Sequence, residues 1–509
     1  MSLSANRTSL VQRALNKVEL LGNRLPHPTL LFVYLSAFIL VLSAIAAGFQ
    51  LQALHPISGE TISAVNLLSV DGLHKILANT VTNFTHFAPV GTVLVAMLGI
   101  GVAEKSGLFD VALRASVHKA PSTLLTAMVV FTGVMSSIAA DAGYVVLIPL
   151  AAIIFQSAGR HPLAGIAAAF AGVSGGYSAN LLIGPVDAML AGLSTEAAHL
   201  VAQDYQVSAT ANYYFMVAST FLVTFVGTWI TQRWIEPRLL ESSPMNTLVD
   251  VNNGEDKNHT LTQLDKRGLR AVGLLTIIVT ALLLWGLVPA DGLLRNPETG
   301  SILRSPFIQG IVVIIAVYAL LAGIVFARVS GRWHSNGEAI TAMESAMASM
   351  ASYLVLMFFA AQFVSYFAWS NLGAVSAIQG AQLLQSWDLS PTLLLAGFVV
   401  MAASINLLIG SASAKWALLA PIFVPMLLLA GISPEATQMA FRVGDSSTNI
   451  ITPLMPYFGV VVAYVQRYQP TAGIGTIMSM MLPYSVGFLI FWSGLMVLWL
   501  TLGLPLGPS

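Results

Sequence analysis

The middle of this chain repeats itself, and the repeat carries helix breakers inside apolar sequence. Shifted by 272 positions, residues 140–174 fall on residues 412–446 without a gap. Ala140, Ala142, Leu147, Pro149, Gly159, Pro162, Ala164, Ala168, Gly172 and Ser174 meet Ala412, Ala414, Leu419, Pro421, Gly431, Pro434, Ala436, Ala440, Gly444 and Ser446. Tyr144 meets Trp416. Ala and Leu coincidences are common in an apolar chain, but Pro and Gly coincidences in one register are not. A duplicated unit whose apolar segments are interrupted in this way is the sequence mark of secondary transporters, in which broken helices meet near the membrane midplane.

Composition sets the solvent. Of the 509 residues 56% are hydrophobic and 9% charged, far below the roughly one quarter of a soluble domain, so the chain reads as a polytopic membrane protein. A formal net charge of zero argues against nucleic acid or other acidic partners, and the absence of cysteine excludes disulfides, thiolate metal sites and Cys nucleophiles. The first apolar run starts near Pro28, after Arg7, Arg13, Lys17 and Arg24. No small-residue cleavage site follows, so a signal anchor retained as the first span is expected.

A helical span needs about 20 mostly apolar residues. Nine fit, at roughly 29–50, 86–104, 163–195, 212–235, 271–290, 307–328, 340–369, 434–466 and 474–503. Two further stretches, 121–157 and 391–430, hold polar residues at their centres: Ser136, Ser137 and Asp141 in one, Asn406, Ser411, Ser413 and Lys415 in the other. Re-entrant hairpins account for both, and such hairpins persist only where their tips are buried in protein or line a cavity. With the N-terminus (1–28) cytoplasmic, Lys105, Arg114, Lys119, Arg160, Arg233, Arg238, Lys257, Lys266, Arg267, Arg328, Arg332 and Arg467 fall inside. Mainly Lys75, Arg295 and Arg304 fall outside, which is the expected bias.

The expected fold is therefore all-α, with nine transmembrane helices, two re-entrant hairpins and inverted repeats at 29–235 and 307–503. A linker at 236–306 with a connecting helix at 271–290 separates them, and a short tail at 504–509 follows. Residues 107–119 and 373–388 read as amphipathic helices lying at the interface, and 239–268 reads as a polar surface segment.

Ionisable groups deep in a span are functional candidates unless they merely pair with one another. Asp141, Asp187, Lys415, Arg442 and Asp445 stand out. Arg442 and Asp445 are three apart and share a helix face. A self-satisfied pair would serve packing alone, but Ser446, Ser447, Thr448, Asn449 and Thr452 continue a polar track that ends at Pro453 and Pro456. In the first half, Gly172, Gly175, Gly176, Ser178, Asn180, Gly184 and Pro185 should unwind the helix before Asp187. Unwinding frees carbonyls for a cation and leaves a half-helix N-terminus to attract an anion. Close packing through small residues is the plainer alternative, but it needs neither Asn180 nor Asp187. Trp416, beside Lys415, is suited to stack on an aromatic ring, or else belongs to an interfacial belt. A possible sodium site lies near Asn180 and Asp141, and Asp187, Asp445 and Asn449 are further cation-coupling candidates. No H-E-x-x-H, G-x-G-x-x-G or Walker loop is present, so no cofactor is expected and energy has to come from an ion gradient.

The stretches PHPTLLFVYL (26–35), VNLLSVDGLH (65–74), SSIAADAGYVVLIPL (136–150), GRHPLAGIAAAFAGV (159–173), SANLLIGPVDAMLAGLSTEAA (178–198), AWSNLG (368–373), SASAKWALLAPIFVP (411–425), FRVGDSSTNIITPLMPYF (441–458) and LPLGP (504–508) resemble the AbgT family, the p-aminobenzoyl-glutamate transporters. The resemblance implies a homodimer of nine spans and two hairpins per chain in the bacterial inner membrane, related in architecture to dicarboxylate carriers. It implies uptake of p-aminobenzoyl-glutamate or export of sulfonamide antimetabolites, driven by proton or sodium gradients. By motif, it places transport residues at Asp187, Asn406, Ser413, Trp416, Pro434, Arg442 and Asp445. The chain carries Gly184-Pro185-Val186-Asp187 where relatives have Thr-Thr-Asp-like residues.

Three other readings compete. A C4-dicarboxylate carrier of similar fold should show Ser-Asn-Thr at both sites, yet the first half has nothing equivalent to Ser446–Asn449. An intramembrane aspartyl protease using Asp141 and Asp445 would have Arg442 beside its dyad, keeping it ionised. A passive channel has no need of paired helix breaks.

Overall fold

The computed structural model describes residues 28–54, 59, 61–118, 124–139, 143–242, 261–289, 291–302, 305–335, 337–455 and 457–508. The N-terminal segment 1–27, most of the polar stretch 239–268 and Asp141 lie outside the described residues. Within them the chain is an all-α polytopic membrane protein apart from one small ribbon, Gln52–Leu54 paired antiparallel with Thr61–Ser63.

Among the described residues, eight helices are long and apolar enough to cross a bilayer. Seven overlap simple spans read from sequence, and the eighth, Ala412–Leu429, is the second arm of the 391–430 hairpin. The spans at 163–195 and 434–466 are absent from that set because each is split into short helices: Pro162–Phe170 and Pro185–Ala198 in one, Pro434–Asn449 and Phe458–Tyr468 in the other. Counting each broken pair as one crossing and Ala412–Leu429 as a hairpin arm restores nine.

Three boundaries differ from the sequence reading. The span at 86–104 is Ala88–Lys105, preceded by a further helix, Val70–Thr85, that starts from the Ser69 hydroxyl accepting the Gly72 N–H. Asp71, His74, Lys75, Asn79 and Asn83 lower the apolar average of that helix and hid it. The connecting helix begins at Gln263 rather than 271, fixed by reciprocal bonds between Thr262 and Asp265. The span at 340–369 is two helices, Gly337–Ser349 and Ala351–Trp369.

The first hairpin runs Leu125–Met135, a 3₁₀ turn at Ser136–Ala139, a π-helical turn at Gly143–Leu147, then Ile148–Ser157. The second runs Pro391–Asn406 and Ala412–Leu429. Each hairpin's first arm packs on its own broken helix through a glycine. A Cβ on Gly172 would lie 2.4 Å from the Val130 carbonyl oxygen, and a Cβ on Gly444 would lie 2.4 Å from that of Val399. The duplicated glycines thus let backbone meet backbone twice over, the close approach that small residues permit between membrane helices.

One large buried cluster joins both hairpins and both broken helices, with Trp416, Trp492 and Tyr484 among its largest members. The connecting helix Gln263–Leu287 is the opposite case. Almost none of it is covered by the rest of the chain, leaving Leu274, Ile277, Leu282 and Trp285 exposed, as a helix facing lipid requires.

Candidate functional site

The first broken helix loses its α-helical ladder where sequence places the glycines. Ala171–Gly175 widens to a π turn, residues 176–184 are irregular, and the helix restarts at Pro185. Proline suits that first position because it lacks the amide hydrogen that would go unpaired there. Asp187 closes the new N-terminus: its Oδ2 accepts the Gly184 N–H at 2.7 Å. The anion that this helix start attracts is therefore the chain's own carboxylate.

The second broken helix brings a polar stripe to the same level. Gln438, Arg442, Asp445 and Asn449 recur at helical spacing and all are buried. Arg442 and Asp445 do not pair with each other. Arg442 reaches across to the first half and pairs with Asp187 at 2.7 Å, both side chains at least 94% buried. Asp445 pairs instead with Lys415 from the second hairpin, and the Lys415 ammonium also donates to Asn406 Oδ1. The Asn406 amide nitrogen in turn contacts the Asp445 carbonyl at 2.6 Å, Thr448 Oγ1 at 2.8 Å and Asn449 Oδ1 at 2.9 Å. A second cross-link joins the halves where Ser446 Oγ accepts the Ser178 N–H at 3.1 Å.

Around the Arg442–Asp187 pair lies a cavity of about 10 Å³, lined by Ser137, Tyr177, Ser178, Asn180, Gly184, Met216 and others. That is room for about one water molecule, so the site is closed around its own ion pair. Asn180 holds the first hairpin against the unwound segment, donating to Ser137 Oγ at 2.7 Å and accepting the Leu182 N–H at 2.9 Å. A larger recess of about 410 Å³ opens elsewhere, among Glu104, Lys105, Asp110, Val146, Arg332 and Trp333. It mixes both charge signs, and Arg332 is already committed to Asp265 at 3.0 Å. Burial pushes the Asp110 carboxyl up from its ordinary range, against the pull of Arg114 and Arg332. Nothing there is buried and convergent like the Asp187–Arg442 centre.

Of the residues named from sequence, Asp187, Arg442 and Asn180 meet at the small cavity, while Asn406, Asp445 and Asn449 form the adjoining cluster. Trp416 lies deeper. It is fully buried, its ring centroid is 4.6 Å from that of Phe441, and its indole N–H donates to Ser194 Oγ at 3.1 Å and the Leu190 carbonyl at 3.2 Å. Neither a belt residue nor a face open to a ligand describes it in this conformation. Ser413 is half-buried, with its hydroxyl 3.0 Å from that of Ser411, the residue that caps Ala412–Leu429. Pro434 opens the last broken helix behind the Ser433 cap, about 12 Å along the axis from Arg442 at 1.5 Å per residue. It sets where that helix begins and does not join the cluster. Among the described residues no group of His, Cys, Asp and Glu could hold a metal ion.

Sequence reasoning missed Gln438, Asn212 and Ser194. Gln438 Oε1 accepts from Asn212 Nδ2 at 2.8 Å and from Arg442 Nε at 3.3 Å, and Gln438 Nε2 donates to Ser194 Oγ at 2.9 Å. These bonds link the guanidinium to the Trp416 indole. The signal was present, since Gln438 stands four residues before Arg442 and Ser194 seven after Asp187, each on the shared helix face.

Comparison with known proteins agrees with this architecture. Residues 13–509 match the AbgT transporter family. The p-aminobenzoyl-glutamate transport protein of Escherichia coli K12 is 38% identical over 492 residues, 97% of this chain and 95% of that protein. The crystal structure of the Alcanivorax borkumensis YdaH transporter superposes with a TM-score of 0.90 at 54% identity, covering 95% of this chain and all of the other. Neisseria gonorrhoeae MtrF, described with a class of antimetabolite efflux pumps, superposes at 0.91 with 49% identity, covering 98% of this chain and all of its own. The chain belongs to the AbgT family and is a membrane transporter, not an enzyme.

Proposed function

We propose that this chain moves p-aminobenzoyl-glutamate and related aromatic carboxylates or sulfonamide antimetabolites by secondary active transport. The observation that carries the reading is the buried Arg442–Asp187 pair, which ties the two interrupted helices together across a cavity of about 10 Å³. A guanidinium presents a planar fork suited to a carboxylate, so a solute carboxylate can take over Arg442 as Asp187 gives it up. Trp416 would stack on the aromatic ring once the second hairpin moves, with Asn406 and Ser413 bonding the polar groups. Asp187 and Asp445 would answer to sodium or protons, with Asn180, Asn449 and Asp141 completing the cation environment. The names of the Escherichia coli and Neisseria relatives support the solute classes.

The same reading takes the duplicated units, 29–235 and 307–503, as inverted repeats that rock about this centre, in a homodimer set in the bacterial inner membrane with its N-terminus cytoplasmic. The test is uptake of labelled p-aminobenzoyl-glutamate into sealed proteoliposomes with sodium and proton gradients imposed separately. One gradient should drive accumulation, succinate should not compete, and Arg442→Ala should be inactive. Accumulation indifferent to both gradients, or full activity without Arg442, overturns the proposal.

A further inference from the structure

Four buried charges meet at this centre, and they cancel. Asp187 faces Arg442, and Asp445 faces Lys415, each in an ion pair. Lys415 is fully buried at the start of the second hairpin's returning arm, and its ammonium lies between two oxygens, Asn406 Oδ1 and Asp445 Oδ1. A carboxylate oxygen and an amide oxygen are also the hard donors that a small metal cation takes. The second carboxylate oxygen of Asp445 is buried without a hydrogen-bond partner among the described residues, so the carboxylate keeps capacity that Lys415 does not fill.

We propose that the Lys415 ammonium is a tethered cation standing in the place of the coupling ion, so that sodium binding and the Lys415–Asp445 contact exclude one another. The inference rests on the reading of Asp445 as a coupling carboxylate and adds the residue that makes the coupling obligatory. With Lys415 in place the centre is neutral, and a further positive charge in so buried a setting is strongly disfavoured. Sodium enters only as the ammonium withdraws, and the withdrawal removes the charged link between the second hairpin and the last broken helix. When sodium leaves, Lys415 returns, and the empty carrier can change its face without an uncompensated carboxylate. Lys415 is in this account a positioning residue: it touches Asp445, not the solute.

The test uses the full chain in detergent, without any transported solute, and follows thermal unfolding as sodium chloride replaces choline chloride. Lys415→Met removes the internal competitor, so half-maximal stabilisation should need at least about tenfold less sodium than in the unaltered protein. Lys415→Arg retains a tethered charge and should stay within about threefold of the unaltered protein. Equal sodium dependence in the Met variant and the unaltered chain overturns the proposal. If the Met variant folds only in sodium, the ion is replacing the missing ammonium and the proposal stands; if it fails alike in sodium and choline, the proposal falls. Because no solute is present, a chain that fails to carry aminobenzoyl compounds can still pass this test, and the two failures remain distinct.

Discussion

Asp187 spends its two carboxylate oxygens on different partners: Oδ1 meets the Arg442 guanidinium at 2.7 Å and Oδ2 accepts the Gly184 N–H at 2.7 Å. One side chain therefore both caps the restarted helix of the first half and clamps the uninterrupted turn of the second. Under the proposed transport cycle, releasing Arg442 to a solute would free one oxygen while the cap holds, so the unwound segment would keep its shape as the halves part.

Removing either charge alone should be costly in stability. Arg442→Ala strands the Asp187 carboxylate in a buried position and is expected to lower stability by about 3–5 kcal/mol, the range for breaking a buried pair. Arg442→Met combined with Asp187→Asn removes both charges and keeps an acceptor for Gly184, so it should regain most of that stability while remaining inactive in counterflow. Thermal melts beside labelled-solute exchange check the pair. A double variant that transports normally refutes the role given to Arg442.

Trp416 offers a second separation of packing from recognition. Trp416→Ala empties a fully buried site and should cost about 3–5 kcal/mol and abolish transport. Trp416→Phe keeps an aromatic face but loses the indole donor to Ser194 and Leu190, about 1 kcal/mol, together with a smaller cost for the ring volume it leaves empty. The Leu190 carbonyl still accepts the Ser194 hydroxyl at 2.8 Å. Counterflow in the Phe variant should persist at a reduced rate. A Phe variant as dead as Ala, though well folded, would tie function to the hydrogen bond and not to the ring.

The duplicated glycines predict matching failures in the two halves. In Gly172→Ala or Gly444→Ala the new methyl lands 2.4 Å from the Val130 or Val399 carbonyl oxygen. Backbone cannot yield as a side-chain tip can, so each change should cost about 1–3 kcal/mol by overpacking. Gly91→Ala, with open space at its Cβ, is the control and should be close to neutral. Melting temperatures of the three variants decide the matter.

What could be read from sequence follows the range of the forces involved. The breaks at residues 176–184 and after Asn449 were legible because Gly and Pro act locally on the backbone. Asp187, Arg442 and Asp445 were legible because a charge inside an apolar segment is conspicuous wherever it lies. Their partners were not. The helix-face rule set Arg442 beside Asp445, yet each found an opposite charge on another element, and only the packed structure states which. Gln438 and Ser194 escaped because a single amide or hydroxyl barely alters an apolar average. Trp416 was found by position, but its burial depends on Phe441 and Ser194, both distant in sequence.

The re-entrant geometry makes a prediction about sides of the membrane that a cysteine-free chain is well suited to test. If 121–157 leaves the membrane where it entered, single cysteines at Leu124 and Ser157, both exposed, should react with an impermeant maleimide from one side only, and from the same side. Leu389 and Ala430 flank the second hairpin, the first exposed and the second half-buried, and should react together from the opposite side, because the repeats are inverted. Intact vesicles of both orientations supply the two readings. If either pair splits between the two faces, that segment is a full crossing. The tips bearing Ser137 and Asn406 would then be unable to close on the broken helices from opposite sides, and the alternating exposure inferred for the Asp187–Arg442 centre would lose its basis.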